Sequence, residues 1–178
     1  MLPKTLCHLT LVLGGARSGK SRYAEALMAQ APPPWTYLAT AQAFDDEMQH
    51  RIAAHQVRRD TRWRTLEIAL DVTEAISDVT LGPTLFDCAT LWLSNVILAE
   101  RNVAAEMDRL VAAMENAPGP LVVVSNEVGL GIVPDTPLGR TFRDAQGILN
   151  QRIATIADRV ILMAAGLPLT LKKCEERS

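Results

Sequence analysis

Three observations predict an α/β fold, a mostly parallel sheet flanked by helices. Short, continuous apolar runs, the mark of strands buried on both faces, alternate with segments of helix-forming composition. The first apolar run leads straight into a glycine-rich loop, and that loop opens a helix. No Pro-, Gly- or Ser-rich linker and no internal repeat divides the 178 residues. The chain is therefore expected to form a single domain, residues 1–178.

The elements follow in order. Leu6 to Leu13 is an apolar strand, and Gly14 to Ser21 is the loop. Ser21 to Ala31 is a helix that Pro32-Pro33-Pro34 ends, because proline lacks the N–H the helix needs. Trp35 to Ala39 is a short strand. Asp45 or Asp46 caps a helix running to about Arg59, and a weaker helix spans Asp71 to Asp78. Thr84 to Phe86 is a strand ending in Asp87. Leu91 to Arg101 and Ala104 to Asn116 are helices, and Pro118-Gly119-Pro120 is a turn. Leu121 to Val124 is the plainest central strand. After a loop at Gly129 to Pro137, Leu138 to Asp158 is a long helix. Val160 to Ala164 is a buried strand, and Pro168 to Leu171 is an edge strand.

Composition narrows the function. Apolar residues make up 48% and charged residues 21%, with a formal charge of −2. That excludes a disordered chain and gives no overall field for nucleic acid or anionic membrane. No apolar run approaches the ~18 residues of a membrane helix. Lys4 followed by Leu6 to Leu13 faintly resembles a signal peptide. His8 and Thr10 interrupt the run, however, and the loop behind it needs a strand, so a cytoplasmic protein is expected. Cys7, Cys88 and Cys174 are odd in number and widely spaced, with no CxxC pair. They exclude a disulfide framework and give no zinc pattern. Cys7 and Cys88 read as buried, and His8 reads as structural.

The loop Gly14-Gly15-Ala16-Arg17-Ser18-Gly19-Lys20-Ser21 fits GxxxxGK[ST], a chance event on the order of 1 in 150 at ordinary residue usage. Glycines let backbone N–H groups turn inward around phosphate oxygens, and the following helix aims its positive end at them. Lys20 can reach β- and γ-phosphates, and Ser21 can hold Mg²⁺. Such loops work with an acidic residue at a neighbouring strand end. Asp87 is the first choice and Glu127 the second.

The segment 45–59 places Met48, Ile52, His55 and Arg59 on one helical face, with Glu47, Arg51 and His55 in line at i+4 steps. Taken alone it is an amphipathic, solvated helix. Its chemical alternative is a phosphate-handling helix, with a neutral His55 as base or nucleophile beside phosphate-neutralising arginines. Arg58, Arg59, Arg62 and Arg64 flank Trp63, while His50 sits on another face and reads as exposed.

Together, GGARSGKSRYAE (14–25), YLATAQAFDDEMQHRIAAH (37–55), RWRTLE (62–67), SNEVGLGIVPDTPLGRTFRDAQGILNQRIA (125–154) and the strand-like ending at 159–172 resemble the bifunctional adenosylcobinamide kinase / adenosylcobinamide-phosphate guanylyltransferase family of cobalamin biosynthesis. The resemblance covers nearly the whole chain. The EMxxRIxxH and NEVGxGIVP segments are its most specific parts. It implies a RecA-like P-loop fold and a homotrimer. It also implies phosphorylation of adenosylcobinamide by ATP or GTP, followed by GMP transfer from GTP through a guanylyl-histidine. By position His55 is the guanylylated residue, and Lys20 is expected to act catalytically by stabilising charge on the phosphates and departing pyrophosphate. Gly14 to Ser21, Ala39, Thr40, Ala41, Gln56, Val57, Arg58, Arg59, Glu67 and Asp87 surround the nucleotide, and Ser21 and Asp87 hold its Mg²⁺. Some members have two adjacent histidines where this chain has Ala54-His55, and many have Pro where it has Asp60.

Other readings make different predictions. A small P-loop kinase for another hydroxyl substrate would not need His55. A nucleotide switch would show no transfer chemistry. An RNA-binding module built on Arg58 to Arg64 would bind with a steep salt dependence. Trp35, Trp63 and Trp92 read as core or interface residues. The apolar helices after Asp87 serve either sheet packing or a subunit interface.

Overall fold

The computed structural model describes residues 6–42, 60–78 and 80–174. Its elements are β1 (Leu9–Gly14), α1 (Lys20–Met28), β2 (Trp35–Ala39), β3 (Trp63–Glu67), α2 (Val72–Ile76) and β4 (Thr84–Asp87). They continue with α3 (Ala89–Leu98), α4 (Val103–Glu115), β5 (Leu121–Asn126), α5 (Pro137–Ile156), β6 (Arg159–Ala164) and β7 (Leu167–Lys172). The strands form one sheet in the order β3-β2-β4-β5-β1-β6-β7. Every pairing is parallel except β6 with β7. The expected α/β architecture, a mostly parallel sheet flanked by helices, is what the described residues build.

Alternation along each strand divides the apolar side chains between two cores. Leu9, Leu11, Leu38, Phe86, Leu121, Val123 and Val160 face α2 to α5. Val12, Tyr37, Leu85, Val122, Val124, Ile161 and Met163 face α1. Trp92 is fully buried and donates its indole N–H to the Leu70 carbonyl at 2.9 Å. Trp35 is buried against the tilted, half-buried Trp63, their centroids 5.1 Å apart. The helices after Asp87 thus pack on the sheet. No helix of the described residues is long and apolar enough to cross a membrane.

Several boundaries differ from expectation for local reasons. β1 begins at Leu9 because His8 bends out to bond the Ala117 carbonyl at 2.8 Å. α1 ends at Met28, and its last carbonyls are closed by tighter bonds from Gln30 and Ala31. α3 begins two residues early because the Cys88 sulfur accepts from the Leu91 amide and caps it. Thr136 caps α5 by accepting from Gly139 N, with Pro137 in its first turn. β3 had no expectation at all. The helix expected at 45–59 lies outside the described residues.

The cysteines require a correction. Cys88 is free and buried, but Cys7 and Cys174 are joined, their Cα atoms 6.3 Å apart. The physical reason is topological. β7 runs back antiparallel to β6 and returns the chain to the end of the sheet where β1 starts.

Candidate active site

Six parallel strands place all their carboxyl ends on one edge, where ligands of open α/β sheets bind. Five of those ends carry residues singled out in the sequence: Gly14 on β1, Ala39 on β2, Glu67 on β3, Asp87 on β4 and Asn126 of the SNEVG segment on β5. Register aligns Ala39 with both Glu67 and Asp87, and Gly14 with Asn126.

The P-loop is shaped by its glycines. Gly14 has φ 152°, and a Cβ there would lie 2.5 Å from the Met163 carbonyl oxygen and 2.7 Å from Ser18 Oγ. Gly19, just before α1, has φ 95°. A side chain at either position would distort the turn. Neighbouring elements brace the loop: Glu127 N donates to Gly14 O at 3.1 Å, and Gly166 N, in the β6–β7 turn, donates to Ser18 O at 3.1 Å. Lys20 is only 8% exposed and folds its ammonium onto the Gly15 carbonyl at 2.6 Å, inside its own loop. Ser18 Oγ is buried without a hydrogen-bond partner among the described residues. Gly15, Ala16 and Arg17 are exposed, Arg17 in a left-handed conformation with φ 56°. The loop therefore presents inward-turned polar groups and an ammonium folded back onto its own backbone, which is what an incoming polyphosphate needs.

Asp87 is half-buried, and Tyr37 Oη donates to its Oδ2 at 2.7 Å. The Asp87–Cys88 peptide is cis. Thr40 holds it in place: Thr40 Oγ1 accepts from Cys88 N and donates to Cys88 O, both at 2.9 Å. Thr40 is wholly buried, and its carbonyl accepts from Asn95 Nδ2 at 2.9 Å. Its polar groups are thus spent on the strand end that carries Asp87. Ala41 is half-buried beside it, and Glu67 is exposed. Burial, and then the Asp87 carboxylate, push the Cys88 thiol up to about 12, so it stays protonated and unreactive at neutral pH.

The residues present suit a hard, oxygen-seeking cation. Ser21 Oγ and Asp87 Oδ1 carry no hydrogen bond to any described residue, and both are oxygen donors. Among the described residues no cluster of three or more His, Cys, Asp or Glu side chains forms a metal site of protein ligands alone. His55, Gln56, Val57, Arg58 and Arg59 lie outside the described residues.

Comparison with known proteins agrees with this geometry. The family model described as cobinamide kinase / cobinamide phosphate guanyltransferase matches residues 10–171. The bifunctional adenosylcobalamin biosynthesis protein CobP of Pseudomonas aeruginosa is 46% identical over 166 residues, 91% of this chain and 96% of that protein. The bifunctional protein CobU of Salmonella typhimurium is 41% identical over 182 residues, 92% of this chain and 99% of that one. Among solved structures, the RadB recombinase superposes with a TM-score of 0.50 at 15% identity, covering 86% of this chain and 73% of that one. That likeness concerns the fold alone, which is RecA-like.

Proposed function

The chain belongs to the cobinamide kinase / cobinamide phosphate guanyltransferase family, and from that premise we propose that it carries out both reactions at one carboxyl-edge site. It is a kinase and nucleotidyltransferase of cobalamin biosynthesis with a P-loop for its nucleotides. The observation that carries this reading is a braced P-loop, with Lys20 and Asp87 on the same sheet edge, inside a chain that matches the family over residues 10–171.

In the kinase step, the aminopropanol hydroxyl of adenosylcobinamide attacks the γ-phosphorus of ATP or GTP. The P-loop amides and Lys20 bind the β- and γ-oxygens as charge moves onto the leaving diphosphate. In the transferase step, the free lone pair of His55 attacks the α-phosphorus of GTP and expels pyrophosphate. The phosphoramidate then passes GMP to adenosylcobinamide phosphate, splitting one difficult displacement into two. Gln56 and Val57 would follow the nucleophile and Arg58 and Arg59 would neutralise phosphate, with Ala39, Thr40, Ala41 and Glu67 at the adjoining strand ends. Bound with the nucleotide, Mg²⁺ would be held by Ser21 and Asp87 and would neutralise phosphate charge. The first step uses the γ-phosphate and the second the α-phosphate. Either the nucleotide binds in two ways or parts of the protein move between the steps.

The same proposal takes residues 1–178 as one domain and places it in the cytoplasm, where its nucleotide substrates are. It also includes a homotrimer. The apolar stripe on edge strand β7 supports self-association: Leu167, Leu169 and Leu171 are 71%, 56% and 56% exposed, on alternate residues of an unpaired edge. Leu169→Glu is expected to reduce the sedimentation mass from about three copies of the 19.4 kDa chain toward one. An unchanged mass would place the subunit contact elsewhere.

The function is tested with purified protein, adenosylcobinamide, ATP and GTP, following corrinoid products by mass spectrometry. The expected result is the phosphate with ATP alone and the GDP derivative once GTP is added. Formation of the phosphate alone would remove the transferase half of the proposal.

A further inference from the structure

Behind the carboxyl edge lies a buried polar network. Ser125 is wholly buried, and its hydroxyl donates to Asn150 Oδ1 at 2.7 Å. Gln146, also wholly buried, donates through Nε2 to Ser125 Oγ and Asn150 Oδ1, both at 2.9 Å. Thr90 Oγ1 lies 3.3 Å from Ser125 Oγ. Two arms of this network end on one residue. Asn126 N donates to Thr90 Oγ1 at 2.7 Å, and Asn126 O accepts from Asn150 Nδ2 at 3.0 Å. The next amide, Glu127 N, is tied to the first P-loop carbonyl.

The backbone of Asn126 is thus fixed on both sides, while its own carboxamide makes no hydrogen bond to any described residue. Alternation says where that carboxamide points. Val122 and Val124 face α1, and Ser125 faces α3 and α5, so Asn126 faces the α1 side, where Lys20 opens the helix. β5 lies between the P-loop strand β1 and the Asp87 strand β4. Asn126 is opposite Gly14 and two residues beyond Val124, the register partner of Asp87. It therefore stands about 6–7 Å further out along the edge than Asp87. A neutral amide donor whose backbone is pinned there, between the strands that lead to Lys20 and Asp87, is placed where the outermost phosphate of a P-loop nucleotide would lie.

We propose that Asn126 is a catalytic residue of the kinase step, donating its carboxamide N–H to a γ-phosphoryl oxygen. The inference rests on the nucleotide reading of the P-loop. In the step it serves, the substrate hydroxyl oxygen forms a bond to the γ-phosphorus. The bond from that phosphorus to the β,γ-bridging oxygen breaks, its electron pair stays with the nucleoside diphosphate, and the hydroxyl proton passes to solvent at the open edge. A donor carried on a backbone already fixed by a buried network needs little reorganisation as charge on the transferring group shifts.

The test measures kinase turnover, thermal stability and affinity for ADP and a non-hydrolysable ATP analogue in Asn126→Ala. The expected result is a kcat lower by about 100-fold, with the preference for triphosphate over diphosphate reduced by about tenfold. The melting temperature should stay near wild type, because only an unbonded side chain is removed. A kcat within about threefold of wild type, or an equal loss of ADP and ATP-analogue affinity, would overturn the proposal. Should Asn126→Ala fail to fold, Asn126→Leu carries the same test, since it keeps the size and removes the donor without adding a charge. If wild type binds neither nucleotide, the P-loop reading itself fails and takes this inference with it.

Discussion

Lys20→Met is expected to lower kinase kcat/KM by about 10³-fold while the protein stays folded. The ammonium is the one cationic group of the loop that is mostly buried, and it donates to the loop's own Gly15 carbonyl at 2.6 Å. A polyphosphate offers it charged oxygens instead, and the loss grows as charge accumulates on the leaving diphosphate. Methionine keeps the stem and much of the packing against the loop. GTP-dependent guanylylation should fall as well, because the same lysine would bind the phosphates that leave as pyrophosphate. A decrease confined to KM would show that Lys20 contributes uniform binding rather than transition-state stabilisation.

His55→Ala is expected to separate the two activities. Formation of the GDP derivative should fall by about 10⁴-fold or more, because no neighbouring histidine can substitute at Ala54. Phosphorylation of adenosylcobinamide should persist within a few-fold, since the P-loop and Asp87 are untouched. Loss of both activities in a folded variant would assign His55 to nucleotide binding in general. Retention of both would point to a different nucleophile.

The P-loop was legible because its glycines, lysine and serine are fixed by local backbone geometry, and the strand before it and helix after it are strongly patterned. Asp87 was legible as the acid ending a short apolar strand. β3 was not, because Trp63-Arg64-Thr65-Leu66-Glu67 is an edge strand with an exposed face and reads as part of a basic run. Its companions in the fold are residues more than twenty positions away, Trp35 and Tyr37. The Cys7–Cys174 link, 167 residues apart, had no local signal either. Gln146 and Asn150 look like the polar side of a long helix. Only the packing of α5 on the end of β5 buries them around Ser125 and turns them toward Asn126. The role of Thr40 was equally hidden, because its hydroxyl partner, Cys88, is 48 residues on. Local patterning thus located the phosphate loop, and long-range contacts revealed what holds the strand ends around it.

The central claim is that this one chain forms a guanylyl-histidine. The most direct measurement incubates the purified protein with GTP labelled at the α-phosphate, denatures it, and follows the retained label in acid and in alkali. The account predicts a covalent label that is labile in acid, stable in alkali, absent with γ-labelled GTP, and abolished by His55→Ala. No covalent label on folded protein that binds GTP would contradict it and leave a P-loop kinase without guanylyl transfer.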